Sequence, residues 1–236
     1  MSIRGPATLD FETTDKDAKI AHPVEFAIYT DDATFVEFIK PPIPIPAETS
    51  AVHHIVDDDV RYSRSWEQVK PDIRNIVDAM DCKILVAHNA EYEQNILKEG
   101  FEDVQWVCTY KCALVIWPDA PAHKNEVLRY WLNLPDLGRK FGQIAHSALH
   151  DCKVTHQILG RMLELHSIEE LILWSSQPKK FPKIPFGKHA GMKWEAIPGD
   201  YLGWICKQVD MDKDIIYCAR LELDRRRMAN ATPGPR

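Results

Sequence analysis

Short stretches rich in β-branched and aromatic residues open this chain and predict strands with at least one buried face. These stretches cover residues 7–13, 24–30 and 34–40. The last two are separated only by Asp31-Asp32-Ala33, a connection of hairpin length. The proline-rich segment 41–46 then forbids regular helix and central strand alike, so we expect it to cross the surface in an extended conformation.

The apolar spacing becomes helical further along the chain. It predicts helices over 66–80 and 91–99, the latter ending at Gly100, and a long amphipathic helix over 146–166. Short apolar runs at 83–87 and 105–109 predict strands between them. Hairpin strands followed by α/β units predict an α/β fold, in which helices pack on the faces of a mixed sheet.

Length and composition are those of an ordinary globular protein. With 236 residues, 45% of them hydrophobic and 27% charged, the chain can form one main domain and a small appendage. No uncharged apolar run approaches the roughly 20 residues of a membrane span, and the first residues lack a signal core. We therefore expect a cytoplasmic protein without a membrane partner. The six dispersed cysteines predict reduced thiols rather than a zinc site.

Charge divides the chain unevenly. Residues 1–174 carry a net charge of -11, whereas residues 175–236 carry +5. The change of sign falls at a proline- and lysine-rich segment, 175–183, which predicts a linker. We expect a main domain over 1–174 and a small basic module over 184–236 that ends in a disordered tail. The alternative is a solvated loop followed by a soluble face.

Two acids share one face of the first predicted strand. Because side chains alternate along a strand, Asp10 and Glu12 point one way, while Leu9 and Phe11 point the other. Neighbouring carboxylates raise one another's pKa, and a hard divalent cation relieves their repulsion. The alternative is that Glu12 ends the strand in water and Asp10 caps a turn.

A second acid-bearing segment, 88–93, passes from a buried strand into a helix, where open α/β sheets place their binding crevices. Glu91 and Glu93 lie on nearly opposite sides of that helix, so only one can face the same cleft as Asp10. Either acid could instead have a purely structural role, in which its negative charge stabilises the N-terminus of the helix.

The third segment contains His146 and Asp151. These residues can share a site if His146 lies in the loop before the helix and Asp151 in its first turns. A loop histidine that titrates near neutrality suits a general base. His150 is a neighbouring alternative, and a lone histidine is more often a surface or core residue.

Together the segments 10–14, 88–93 and 146–151 resemble the three motifs of the DEDD superfamily of exonucleases, histidine subtype. This group includes the proofreading subunit of bacterial DNA polymerase III. Further similarity to one branch of the superfamily lies in segments 51–55, 108–113, 117–118 and 186–204, and the resemblance covers roughly residues 7–205.

The resemblance implies a ribonuclease H-like mixed five-stranded sheet with flanking helices, and 3′ to 5′ hydrolysis of DNA in repair or turnover, releasing nucleoside 5′-monophosphates. By position, Asp10 would bridge two Mg²⁺ ions, or Mn²⁺ in their place. Glu12 and Asp151 would hold the ion that positions the attacking water, and His146 would take its proton. Glu93, where the family has aspartate, would complete the metal ligands.

The resemblance also predicts a pocket for the terminal nucleotide, lined by Thr13, Thr14, His53 and Asn89. Local turn hydrogen bonding is the alternative for these side chains. The expected partner is DNA, single-stranded or with a free 3′ end, and no obligate protein partner is predicted. An RNA-trimming exonuclease and a catalytically weak, polymerase-associated nucleic-acid-binding protein are the alternative functions.

Aromatic residues and lysines are interleaved in the C-terminal segment. The aromatic residues could stack bases while the lysines follow a phosphate backbone, or the aromatic residues could form a miniature core with the lysines in solvent. The residues concerned are Phe186, Trp194, Tyr201 and Trp204 with Lys179, Lys180, Lys183, Lys188 and Lys193.

Overall fold

A six-stranded mixed sheet lies at the centre of the protein, whose computed structural model describes residues 5–80, 82–135 and 147–231. The strand order is β4-β3-β2-β1-β5-β6. The strands are β1 (Ala7–Thr13), β2 (Pro23–Tyr29), β3 (Thr34–Lys40), β4 (Arg64–Ser65), β5 (Ile84–Ala87) and β6 (Gln105–Cys108). Five of them are predicted from the sequence. The sixth, β4, has two residues and is too short to give a periodic signal.

Strand β1 lies in the interior of the sheet between two kinds of neighbour. It pairs antiparallel with β2 and parallel with β5, while β2 pairs antiparallel with β3. The predicted hairpin between β2 and β3 is confirmed, and its turn is closed by a hydrogen bond of 2.8 Å from the Thr30 N–H to the Ala33 carbonyl. The acids of β1 are therefore placed in the middle of the sheet.

Helices follow the strands and cover both faces. They are α1 (Ala47–His53), α2 (Trp66–Ala79), α3 (Glu91–Leu97), α4 (Thr109–Ile116), α5 (Asn125–Trp131), α6 (Ala148–Leu163), α7 (Ile168–Ser176), α8 (Gly199–Ile205) and α9 (Lys213–Ala231). The predictions of α2, α3 and α6 are confirmed within a few residues. Among the described helices, none has the length and apolar character that a membrane crossing requires.

Two apolar layers enclose the sheet. On one face Leu9 and Phe11 of β1 pack with the α2 side chains Val69 and Ile73. On the other face Val86 and Val107 pack with residues of α4 to α7. Helix α6 also contacts β1 and β2, where Ala148 and Cys152 pack against Ala27. The polar positions of β1 therefore lie between the sheet and the start of α6.

A separate apolar cluster is formed by residues of the C-terminal segment, among them Ile184, Leu202 and Ile205. The segment that precedes this cluster is attached to α4 by polar contacts. Lys111 Nζ donates hydrogen bonds to the Ser175 and Gln177 carbonyls, and α7 continues to Ser176. The division into a main domain, a linker over 175–183 and a C-terminal module over 184–236 stays a prediction.

Candidate metal centre

Strand β1 presents two carboxylates on one face. Leu9 and Phe11 are buried in the apolar core, so the alternation of the strand turns Asp10 and Glu12 towards α6. The pairing register with β2 shifts between Glu12 and Thr13, and such irregularities re-aim side chains at the end of a strand.

Helix α6 brings a third carboxylate to the same place. Its N-terminus is capped by Ser147, whose side chain accepts a hydrogen bond from the His150 N–H, and Asp151 lies in the first turn. Carboxylate oxygens of Asp10, Glu12 and Asp151 lie within 4.8 Å of one another. Oxygens at this separation can share one cation, since Mg²⁺ and Ca²⁺ bind oxygen at about 2.0 to 2.6 Å.

Helix α3 contributes the fourth acid. Glu93 is buried, with 4% of its surface exposed, whereas Glu91 is exposed and lies 3.8 Å from Lys179. The Glu93 Oε2 atom is buried and has no hydrogen-bond partner within the described ranges. Of the two candidate acids, Glu93 is the one whose charge acts on Asp10, where it helps to raise the pKa, and its longer arm ends in an unsatisfied acceptor.

The pKa values of these acids are raised by burial and mutual repulsion. Burial raises the pKa of Asp10 well above its usual range, and the charges of Asp151, Glu12, Glu93 and Glu25 add to the effect. Burial followed by repulsion from Asp151 and Glu25 raises the pKa of Glu12 to about 9.

The pKa of Glu93 rises to about 8, chiefly through burial. Across the ranges that the structure describes, no lysine or arginine pairs with Asp10, Glu12 or Glu93. A half-buried set of repelling carboxylates, joined by a buried acid with an unsatisfied oxygen, is the donor set that hard divalent cations prefer. The residues present therefore fit a metal centre.

A fifth acid, Glu25, lies beside the trio and is absent from the sequence prediction. It sits on β2 directly opposite Glu12 and is buried. Its Oε2 accepts a hydrogen bond of 2.8 Å from the backbone N–H of Ala148, the first residue of α6. Burial raises its pKa, and the Asp151 charge adds to the effect. The available signal was an acid within an otherwise apolar buried strand.

Asn125 is a second neighbour that sequence reasoning missed. This residue begins α5, and its side-chain Nδ2 donates to the Asp151 carbonyl at 3.2 Å and to Thr155 Oγ1 at 3.3 Å. It therefore ties α5 to the helix turn that carries Asp151. Only tertiary packing brings these residues together, because they are far apart in the chain.

The two threonines expected in the nucleotide pocket are engaged in local hydrogen bonds. Thr13 Oγ1 donates to the Asp15 carbonyl at 2.8 Å and contacts the Tyr92 hydroxyl, while Thr14 Oγ1 accepts from the His22 N–H at 3.0 Å. Both threonines are buried. The contacts fix the turn after β1 and link it to α3, so a substrate role for these hydroxyls stays a prediction.

Two further predicted pocket residues lie near the same end of the sheet. His53 is buried, its Nδ1 accepts from the Ile55 N–H at 3.0 Å, and it contacts the Thr13 backbone. Burial lowers its pKa. Asn89 lies in the turn before α3 with a φ of 75°, a left-handed conformation that asparagine tolerates.

The predicted general base, His146, lies outside the described residues. The neighbouring histidine, His150, is paired with Glu126, its Nε2 lying 2.6 Å from Glu126 Oε1, and a ring nitrogen of His150 and a carboxylate oxygen of Glu126 both lie within 4.8 Å of an Asp151 carboxylate oxygen. Of the predicted catalytic residues, the structure brings together Asp10, Glu12 and Asp151, with Glu93 beside them.

Comparison with known proteins defines the class to which this fold and site belong. The family model described as Exonuclease, of the RNase T type, matches residues 8–159, which is more than half of the chain. The chain therefore belongs to this exonuclease family, and its fold is the ribonuclease H-like α/β fold of DEDD 3′–5′ exonucleases.

Two relatives illustrate the match in sequence. The uncharacterized exonuclease CP81 of Escherichia phage 186 is 29% identical over 175 residues, covering 65% of this chain and 86% of the relative. The DNA polymerase III subunit epsilon of Treponema pallidum is 26% identical, covering 67% and 76%. By contrast, the match to a PolC-type DNA polymerase III of Thermotoga petrophila spans only 12% of that much longer protein.

Solved structures share the fold. Exonuclease X in complex with 5′ overhanging duplex DNA superposes with a TM-score of 0.62 at 24% identity, covering 73% of this chain and all of that one. The nuclease domain of 3′hExo, a DEDDh family member bound to rAMP, gives 0.55 at 16% identity, covering 67% and 91%. The branch of the superfamily that segments 51–55, 108–113, 117–118 and 186–204 resemble is that of exonuclease X.

Proposed function

We propose that this chain is a metal-dependent 3′–5′ exodeoxyribonuclease that releases nucleoside 5′-monophosphates from DNA with a free 3′ end. Family membership makes it a nuclease. The observation that carries the finer proposal is the carboxylate trio of Asp10, Glu12 and Asp151, whose oxygens lie within 4.8 Å of one another on a strand and a facing helix.

The acids would divide the work of holding two Mg²⁺ ions, with Mn²⁺ as a substitute. Asp10, Glu12 and Asp151 would hold one ion, and Asp10 with Glu93 would hold the other. Bound there, the ions would supply an activated water for the attack on phosphorus and charge compensation for the leaving oxygen. The protein's own contribution would be the placement of four mutually repelling acids, three half-buried and one buried.

A proton acceptor for the attacking water is still needed, and the resemblance assigns this role to His146. We expect His146→Ala to lower the rate by about 10² to 10⁴-fold, the usual contribution of a general base. His166→Ala is the control, and it should cost far less because His166 lies beyond the far end of α6 and pairs with Glu170. Equal losses in both variants would contradict the assignment.

DNA is the favoured substrate because several relatives are DNA polymerase III proteins and the exonuclease X structure contains duplex DNA. RNA is the alternative outcome, since the 3′hExo nuclease domain is bound to rAMP. A protein could separate the two only through contacts at the 2′-hydroxyl. The choice is therefore made by assay.

The test is hydrolysis of 3′- and 5′-labelled single- and double-stranded DNA and RNA with Mg²⁺, Mn²⁺ or EDTA. We expect mononucleotides to be released from the 3′ end of DNA, with a loss of at least about 10²-fold in Asp10→Ala, as when a main electrostatic group is removed. Glu91→Gln, an exposed acid on α3, is the control and should retain activity. Metal-independent hydrolysis, release from the 5′ end or preference for RNA would contradict the proposal.

Glu93 in place of aspartate keeps a weakly active, polymerase-associated binding protein as an alternative. Robust Mg²⁺-dependent hydrolysis by the unmodified chain would dismiss that alternative. Activity that appears only after Glu93→Asp would support it.

A further inference from the structure

Helix α8 carries two stacked aromatic rings, of which the outer one is exposed. Leu202 and Ile205 point into the apolar cluster of the C-terminal segment and are fully buried. Trp204 lies on another side of the helix and stacks on the half-buried Tyr201, which packs at the edge of that cluster; the two ring centroids are 5.3 Å apart with an interplanar angle of 27°. Trp204 leaves 46% of its surface exposed. The largest side chain of this helix is therefore turned towards solvent.

A glycine turn brings a lysine onto the same aromatic pair. Gly187 has a φ of 70°, and a Cβ atom at this position would lie 2.7 Å from the Tyr201 hydroxyl oxygen. Only glycine fits both the left-handed backbone and the close approach. The turn places Lys188 Nζ 5.3 Å from the Tyr201 ring centroid and the His189 ring 4.7 Å from it.

Lys188 is free to bind an anion. It forms no ion pair in the portion of the chain that the structure describes. Arg225 and Arg226 of α9 differ in this respect, because both pair with the buried acid Glu222. The aromatic pair thus has one uncommitted cation beside it, within a segment of net charge +5.

Trp194, by contrast, is a core residue. It is buried, and its indole N–H donates to the Phe181 carbonyl at 2.7 Å. Phe186 packs at the edge of the same apolar cluster. The interleaved aromatic residues of this segment are therefore divided between a miniature core, with Phe186 and Tyr201 at its edge, and the exposed ring of Trp204, which is available to a ligand.

We propose that Tyr201, Trp204, Lys188 and His189 form a binding site for single-stranded nucleic acid, in which a base stacks on Trp204 and a neighbouring phosphate meets Lys188. We call these four residues the aromatic patch. Every base offers a π-face, so stacking on an exposed indole is tolerant of sequence, and a lysine beside it suits the phosphate backbone.

Charge favours this occupant. The family match ends at residue 159, and residues 1–174 carry a net charge of -11, which repels a polyanion. A basic segment with a stacking surface would offset that repulsion and hold the strand while its 3′ end is hydrolysed. The proposal rests on the proposed function, because it takes the same nucleic acid as its ligand.

The test measures binding in full-length protein that carries Asp10→Ala, so that no hydrolysis is required. Fluorescence anisotropy of a labelled oligodeoxynucleotide of about 16 nucleotides, the upper end of the length that a small binding fold covers, gives the dissociation constant. We expect Trp204→Ala to weaken binding by about tenfold and Trp204→Phe to restore most of it. Lys188→Ala should reduce the slope of the logarithm of the binding constant against the logarithm of salt concentration by about one in magnitude.

Tyr62→Ala is the matched control. Tyr62 is also exposed and lies beside a cation, with Arg61 5.9 Å from its ring centroid, but Asp57, Asp58 and Asp59 precede it. We expect the Tyr62→Ala variant to bind the oligodeoxynucleotide with unchanged affinity. Thermal unfolding of each variant verifies that the fold is retained.

Wild-type affinity in both Trp204→Ala and Lys188→Ala would overturn the proposed binding site. If instead the wild-type protein, without Asp10→Ala, hydrolyses no substrate while the patch variants still lose affinity, the proposed function fails and the aromatic patch stands. The two failures are therefore distinguishable.

Discussion

Glu93 is the residue at which this chain departs from the motif it resembles. Its side chain is one methylene longer than the aspartate of the family, and the structure accommodates that length by burying it near Asp10. One carboxylate oxygen is left without a partner among the described residues. An ion or its bound water would satisfy that oxygen.

The first prediction concerns this acid. Glu93→Gln should lower Mg²⁺-dependent hydrolysis by about 10²-fold, because the neutral amide cannot compensate a cation. Glu93→Asp should keep at least the wild-type rate. Kinetics over a range of Mg²⁺ concentrations measure both effects, with Glu91→Gln as the exposed control from the same helix. Wild-type rates in Glu93→Gln would show that Glu93 is not one of the metal ligands.

The second prediction concerns the pH dependence of stability without metal. Glu12 and Glu93 have folded-state pKa values of about 9 and 8, above their ordinary value of 4.5. At pH values between the ordinary and the raised pKa, the folded protein binds more protons than the unfolded chain. The free energy of unfolding should therefore fall as the pH rises from about 4.5 to 9. Urea unfolding in EDTA measures the slope.

Because cations bind the ionised acids, Mg²⁺ should stabilise the protein more strongly at the upper end of this range. Glu12→Gln should flatten the metal-free slope. A slope that Glu12→Gln leaves unchanged would mean that other groups dominate the titration.

At the scale of elements, the site depends on how α6 is attached to the sheet. The Glu25 carboxylate on β2 accepts from the first N–H of α6, and Asn125 at the start of α5 donates to the Asp151 backbone. These contacts fix the helix turn that carries Asp151 relative to the strand that carries Asp10 and Glu12. They are positioning interactions, made by residues outside the proposed ligand set.

The third prediction tests the attachment through Glu25. Glu25→Ala leaves the buried N–H of Ala148 without an acceptor, so we expect metal affinity and turnover to fall by about 10- to 100-fold, the usual cost of removing a supporting contact. Glu25→Gln keeps an acceptor oxygen and should restore both values. Isothermal titration with Mn²⁺ and single-turnover kinetics provide the readouts. Equal losses in the two variants would assign the effect to charge rather than to positioning.

Local signals in the sequence predicted much of this architecture. Alternation along β1 placed Asp10 and Glu12 on one face, and helical geometry required that only one of Glu91 and Glu93 face the cleft. The partnership of Glu25 with α6 could not be predicted, because a strand register and a helix docking 123 residues away in the chain decide it. The short helices α4 and α5 gave too few turns for a periodic signal.

At the scale of the whole molecule, the acidic residues that are suited to binding metal ions also repel the negatively charged nucleic acid. The divalent ions would neutralise part of the site, and the aromatic patch would supply contact with the strand. The split in charge was visible in the sequence. The division of the C-terminal aromatic residues between core and surface was not, because the side chains that pack against Trp194 and α8 are fixed only by the tertiary fold.

The most direct test of the metal centre is anomalous diffraction from crystals grown with Mn²⁺ and a nucleoside 5′-monophosphate. We predict one peak among Asp10, Glu12 and Asp151 and a second beside Asp10 and Glu93. Both peaks should be absent from Asp10→Ala crystals grown in the same way. A wild-type map with no peak within this carboxylate set would contradict the central claim.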